Sequence, residues 1–176
     1  MIKTTTLGFV TLMFATTYIS SANAQFGGFF GGPKIETIST EDLHQLLEKE
    51  KAARATASAT DTAPPTPDFV LVDVRSEAEV NVSVIPGAIT KLQYEKDAAK
   101  YRGKTVIPYC TVGGRSGAYA KALARKDVKV KNYTGSILKW IDAGLPLVTL
   151  EGKPTQRVHT YSDRYKIPSQ YEQVTK

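Results

Sequence analysis

Cys110 is the only cysteine in the chain, and its neighbours decide what it can do. A lone thiol is either an inert core residue or a reactive group. Here it opens the run Cys110-Thr111-Val112-Gly113-Gly114-Arg115-Ser116. An apolar run, Thr105-Val106-Ile107-Pro108-Tyr109, precedes it. An alanine-rich helical pattern follows it from Ser116 to Lys126. A strand, a thiol, a tight turn and a helix start therefore meet at one place. Backbone N–H groups in such a turn can converge on an anion. The helix start adds partial positive charge, and Arg115 adds a permanent one. All three favour thiolate over thiol, and the thiolate is the nucleophile. Gly113 and Gly114 let the turn curl and leave the sulfur open.

Metal chemistry has little support. His44 and His159 lack a second His or Cys at ligand spacing. No metal is expected.

The elements around the loop read as strands alternating with helices. Lys34 to Ile38 suggests a short strand. Ser39 offers an N-cap, and Leu43, Leu46 and Leu47 give helical spacing to about Lys51. Phe69 to Val74 is a short apolar run suited to a strand buried on both faces. Ser76 to Val80 suggests one helical turn, and Ile85 to Ile89 a turn feeding a brief strand. Gln93 to Tyr101 reads as helix, ended by Gly103. Val128 to Val130 reads as a strand, and Ser136 to Ala143 as a helix closed by Gly144 and Pro146. Pro108 is awkward within a strand, because it donates no ladder hydrogen bond. The alternation implies an α/β domain around a mainly parallel sheet, with chemistry at the carboxyl ends of the strands.

Outside this core, residues 1–24 have the order of a secretory signal peptide. Lys3 is followed by an uncharged, mainly apolar run from Leu7 to Ile19, then by Ala22-Asn23-Ala24. Residues 25–33 are Gly/Phe-rich and expected to be flexible. Residues 53–68 are small, polar and Pro-rich, and read as a flexible insertion. Residues 151–176 form a C-terminal extension. It is either a strap on the domain surface or a border of the active-site mouth that adds Arg157 or Arg164 to an anion pocket. The expected location is outside the cytoplasm, periplasmic or secreted, with no membrane contact once the leader is removed.

With 41% hydrophobic and 23% charged residues, the 176-residue chain has the make-up of one globular domain with extensions. The net charge of +6 is scattered, with no aromatic-basic stripe, which argues against nucleic acid.

The loop Cys-x-x-Gly-x-Arg-Ser after a strand resembles the active-site loop of rhodanese-like sulfurtransferase domains. Further marks fall in that family's order: Ile38-Ser39 with Asp42-Leu43, Asp73-Val74-Arg75 with Glu79, Ile85-Pro86-Gly87-Ala88, and Asn132, Gly135, Trp140 and Gly144-Leu145-Pro146. The resemblance spans about Ile35 to Val148 and sets the expected domain at 34–150. Four residues at three places depart from the usual pattern. Ser83-Val84 stand for Gly-His, Val80 for an aromatic, and Ser136 for a glycine. The resemblance implies a three-layer domain, a central mainly parallel sheet flanked by helices. It also implies sulfur carried as a persulfide on Cys110, moved from a small anionic or persulfide donor to a thiol or cyanide acceptor. Catalysis then falls to Cys110 and to Arg115, which holds the anionic donor or braces the loop, with substrate bound by Thr111, Val112, Gly113, Gly114 and Ser116 and no organic cofactor needed. Two other functions compete. One is a non-catalytic binding or redox-sensing module with a partner protein. The other is a cysteine phosphatase or arsenate reductase, although such enzymes use a longer loop between Cys and Arg.

Overall fold

A computed structural model describes residues 32–175. The expected leader, 1–24, and most of 25–33 lie outside the described residues.

Two apolar faces of one sheet organise the chain. The elements in order are β1 (Glu36–Thr37), α1 (Thr40–Ala59), β2 (Phe69–Asp73), α2 (Glu77–Val80), β3 (Ile89–Thr90), α3 (Lys91–Lys96), a 3-10 turn (Ala98–Tyr101), β4 (Thr105–Tyr109), α4 (Gly114–Ala124), β5 (Lys131–Asn132), α5 (Ser136–Asp142), β6 (Leu147–Val148), β7 (Pro154–Thr155), β8 (Arg157–His159) and β9 (Glu172–Val174). Strand β2 pairs in parallel with β3 on one side and β4 on the other. A parallel bridge between Val106 and Val130 joins β4 to the β5 segment, and β5 pairs in parallel with β1. The strand order is therefore β1-β5-β4-β2-β3.

Alternate residues of β2 and β4 point to opposite faces. Leu71, Ile107 and Tyr109 meet Leu43 of α1 and Ile137, Trp140 and Ile141 of α5. Val70, Val72 and Val106 meet Tyr94 of α3 and Leu123 of α4. Helices thus cover both faces, giving the three layers expected from the sequence. Trp140 is anchored by its indole N–H, which donates to the Pro146 carbonyl at 2.8 Å.

Pro108 sits inside β4 without penalty. Its carbonyl accepts from the Tyr133 N–H at 3.0 Å, so its missing donor also faces β5, where regular pairing is reduced to a single bridge. Three expected elements change by more than a shift of a residue or two at their ends. First, α1 continues to Ala59, so 53–59 are helical rather than part of a flexible insertion. Alanine-rich sequence is small and linker-like in composition but has the highest helix propensity. Second, paired strand β5 falls at Lys131–Asn132 rather than 128–130, since Val128 and Val130 pack against the second core while the backbone beyond them pairs with β1. Third, the helix expected from Gln93 to Tyr101 breaks into α3 and the 3-10 turn at Asp97.

The C-terminal extension is built into the domain. Val158 is fully buried in the larger core, and Ile167 and Tyr171 pack against it. The Tyr171 hydroxyl donates to the Leu145 carbonyl at 2.7 Å. Strands β8 and β9 pair in parallel with each other. Truncating this core side chain should therefore be felt. Val158→Ala is expected to cost about 2 kcal/mol, read as a lower urea midpoint at unchanged slope. An unchanged midpoint would mean the extension only rests on the surface.

Candidate active site

The site forms where β4 ends and α4 begins. Gly113 caps α4 at φ 94°, a left-handed conformation. A Cβ at this position would lie 2.5 Å from the Thr134 carbonyl oxygen, so only glycine fits. At Gly114 a Cβ would meet nothing within 4 Å. Of the two glycines expected to shape the turn, only Gly113 is required. Helix α4 starts at Gly114, two residues earlier than expected, which places Arg115 in its first turn.

The turn folds back over the sulfur, so that Cys110 is buried at 1% exposure rather than open as the glycines suggested. The Gly113 N–H donates to Cys110 Sγ at 3.1 Å. Burial pushes the Cys110 thiol up, and hydrogen bonds from the N–H groups of Ser116, Val112 and Gly113 outweigh it, so the thiol titrates below its ordinary value. Of the expected binding residues, Val112, Gly113 and Ser116 thus act through the backbone. The Ser116 side chain is buried and its hydroxyl donates to the Gly113 carbonyl at 3.2 Å, closing the turn.

Behind the sulfur stands Ser136, in the left-handed region at φ 55°. Its hydroxyl accepts from the Cys110 N–H at 3.1 Å and lies 3.8 Å from Sγ. The N–H groups of Ile137 and Leu138 at the start of α5 donate to the Cys110 and Thr111 carbonyls. Both sides of the Cys110 backbone are therefore held.

Arg115 is engaged by a carboxylate. Its Nη1 and Nη2 donate to both oxygens of Glu79, each at 2.7 Å, and Nη2 also donates to Thr111 Oγ1 at 2.8 Å. Thr111 Oγ1 in turn donates to Glu79 at 2.8 Å. The Thr111 hydroxyl thus ties the loop to Glu79, while the residue also lines the cavity beside Cys110. Burial raises the Glu79 carboxyl, but hydrogen bonds from Arg115, Ser76 and Thr111 prevail and hold it at about 2. Hydrogen bonding to Glu79 likewise raises the Arg115 guanidinium. In the sequence Glu79 is visible only as a member of a motif. Its role follows from a contact 36 residues away.

The C-terminal extension supplies the remaining wall. A cavity of about 320 Å³ is lined by Cys110, Thr111, Val112, Gly114, Arg115, Tyr161, Arg164 and Tyr165. The Arg115 guanidinium carbon lies 5.7 Å from the Tyr161 ring centroid, within cation–π range. Arg164 is thus at the mouth, in keeping with the second of the two roles open to the extension. Arg157 is not. It pairs with Glu172 at 3.2 Å and is absent from the cavity lining. Among the described residues no group of three or more His, Cys, Asp or Glu could hold a metal ion.

Residues 39–143 match the family model of the rhodanese-like domain. A sulfurtransferase of Allochromatium vinosum is 33% identical over 91 residues, which cover 49% of this chain and 85% of the relative. Two solved structures are similar. One, from Bacillus halodurans, is 21% identical with a TM-score of 0.49 and covers 66% of this chain and 79% of its own. The other, a thiosulfate sulfurtransferase of Pseudomonas aeruginosa, is 20% identical with a TM-score of 0.49 and covers 70% of this chain and 21% of its own.

The turn geometry separates two glycines that look alike in the sequence. Gly113→Ala should move half-maximal alkylation of Cys110 by iodoacetamide upward by about one pH unit, while Gly114→Ala leaves the profile in place. Equal profiles for the two variants would refute the nest around the sulfur.

Glu79→Gln should cost about 2 kcal/mol at pH 7, between the values for exposed and buried pairs. Because the folded carboxyl titrates at about 2, below the ordinary 4.5, its contribution is complete above 4.5 and is lost as pH falls toward 2. Unfolding of the wild type should therefore be steeper in pH over that window than unfolding of the variant. Parallel curves would count against the ion pair.

Proposed function

Because the chain belongs to the rhodanese-like domain family, we propose that it is a sulfurtransferase that carries sulfane sulfur as a persulfide on Cys110. The donor is an anionic or persulfide species and the acceptor a thiol or cyanide. Residues 1–24 act as a signal peptide, and the mature protein works in the periplasm or outside the cell.

One observation carries the assignment. The sole thiol lies at the carboxyl end of the central strand β4, with backbone N–H groups gathered on its sulfur. Such a ring suits a sulfur anion and lowers the cost of forming it. In the first half-reaction Cys110 thiolate attacks the outer sulfur of the donor. A new S–S bond forms, the donor's bond to that sulfur breaks, and the donor remnant leaves with the electron pair. In the second, the acceptor attacks the outer sulfur of the persulfide, and the thiolate leaves as it was at the start. The N–H groups of Val112, Gly113 and Ser116 serve both the thiolate and the persulfide anion. Arg115 is a positioning residue. Through Glu79 and Thr111 it braces the loop against α2.

The same ion pair weighs against a phosphatase or arsenate reductase. That chemistry needs the arginine of the loop on the oxyanion, and here both its Nη groups face a carboxylate. The loop is also one residue shorter than those enzymes use.

Intact mass tests the assignment directly. Incubation with a persulfide or thiosulfate donor should add one sulfur atom, ~32 Da, which cyanide removes and which Cys110→Ser never acquires. No gain from any donor in folded protein with a free thiol would overturn the reading and favour a non-catalytic binding module.

A further inference from the structure

Two arginines line the Cys110 cavity, and only one is engaged by a carboxylate. Arg115 is held by Glu79 and Thr111. Arg164 makes no ion pair among the described residues. Its Nε donates to Ser162 Oγ at 3.2 Å, its guanidinium carbon lies 5.8 Å from the Tyr165 ring centroid, and its terminal Nη groups have no protein partner there. The unpaired cation of the mouth thus comes from the C-terminal extension.

The loop that carries it is firmly tied. Gln173 Nε2 contacts Thr160 Oγ1 at 2.7 Å, the Tyr165 carbonyl at 3.0 Å and the Ser162 carbonyl at 3.2 Å. Thr160 Oγ1 lies 2.9 Å from the Ser162 carbonyl. The Tyr161 N–H donates to His159 Nδ1 at 3.0 Å, which holds Tyr161 at φ 67° and turns its ring toward Arg115. The His159 and Thr160 side of this loop is buried, whereas Tyr161 remains 67% exposed. A large exposed aromatic in the same cavity as the thiol, with an exposed Val112 in the same lining, leaves apolar surface for a ligand to cover.

Size narrows the ligand. About 320 Å³ is at the small end of the range for organic-ligand pockets. A compact inorganic dianion would fill little of it and leave the two tyrosine rings wet. A short organic chain with a terminal anion can put its sulfur at Cys110, its carbons against Tyr161 and Tyr165, and its charge on Arg164.

Resting on the persulfide assignment of Cys110, we propose that Arg164 is a specificity residue and that the donor is a small organic persulfide bearing a carboxylate. The step balances without any further reagent. Cys110 thiolate bonds to the outer sulfur of R–S–SH, the donor's S–S bond breaks, and the thiolate R–S⁻ leaves with its electron pair and then takes up the proton. The sulfane sulfur moves with no net oxidation. The released thiol carries the same carboxylate and leaves from the same arginine.

Three near-isosteric donors test this, namely the persulfides of 3-mercaptopropionate, 2-mercaptoethanol and cysteamine. In the wild type the carboxylate donor should have a KM about fivefold lower than the neutral one, the worth of one partly exposed ion pair. The cysteamine donor should have the highest KM. Arg164→Gln should collapse the carboxylate-to-neutral ratio to about one, and Arg164→Lys should restore part of it. Arg157→Gln, on the same extension but outside the cavity, should keep the wild-type ratio. If Cys110 gains sulfur from all three donors with equal KM, or if Arg164→Gln keeps the preference, this proposal fails and the persulfide assignment stands. If no donor loads Cys110, both fail.

Discussion

A carboxylate buried beneath the active loop constrains this site more than the thiol does. Glu79 is 1% exposed, and a buried charge must be paired and hydrogen-bonded to be tolerated. Its two oxygens receive donors from Ser76, Thr111 and Arg115. These donors come from the start of α2, the turn after β4 and the first turn of α4. One group therefore holds three segments that meet at the carboxyl ends of β2 and β4. The loop must adopt the shape that satisfies Glu79, and in that shape its N–H groups converge on Cys110. The downward shift of the thiol thus comes from backbone N–H groups, and Arg115 holds their loop in place through Glu79.

A second buried ion pair acts in the same way, at a greater remove from the sulfur. Arg75 and Asp73 meet at 2.7 Å with both side chains fully buried. Arg75 also donates to the carbonyl of Ser83 and, at 3.4 Å, to that of His159. Burial alone would lower the guanidinium, and Asp73 more than reverses it. The Tyr109 hydroxyl accepts from the Ile85 N–H at 3.0 Å. Arg75 thereby links the end of β2, the segment before Ile85 and the strand β8 that leads to Tyr161. The extension is placed by the same sheet edge that places the thiol, which is why Arg164 reaches the mouth although it lies 54 residues along the chain from Cys110.

The sequence exposes what local chemistry dictates. A β-branched run must be a strand, Gly113 must turn, and a thiol between them must sit at a strand's carboxyl end. The family motifs add order to those local signals. Long-range choices are harder to read. Nothing local says that Arg115 will face Glu79 rather than a substrate, because either partner satisfies a guanidinium. Gly113 and Gly114 look equivalent as letters, and only the carbonyl of Thr134 tells them apart. The helix beyond Lys51 is hidden by its small, polar composition, although the propensity of its alanines favours it. The extension offers two arginines of equal appearance. Glu172 claims Arg157 through the pairing of β8 with β9, which no periodicity in so short a segment reveals.

Ser136 shows how a departure from the family pattern can be absorbed at the site itself. At φ 55° the backbone is left-handed, which disfavours any residue with a Cβ by about 1 kcal/mol or more. Glycine avoids that cost, but it would leave the Cys110 N–H without the partner seen here. Serine accepts from that N–H at 3.1 Å and donates to the Tyr133 carbonyl at 3.1 Å. A satisfied buried hydrogen bond contributes about 1 kcal/mol, and leaving its donor unpaired costs more. The strain and the bonds therefore roughly offset each other. The gain is geometric. With its N–H held by Ser136 and its carbonyl held by Ile137 N–H, the Cys110 backbone is fixed on both sides, which keeps the sulfur under the N–H groups that lower its titration. In the proposed mechanism, a nucleophile that holds a second sulfur atom between two half-reactions would depend on that anchoring, because a persulfide anion keeps its stabilisation only while the ring around it keeps its shape.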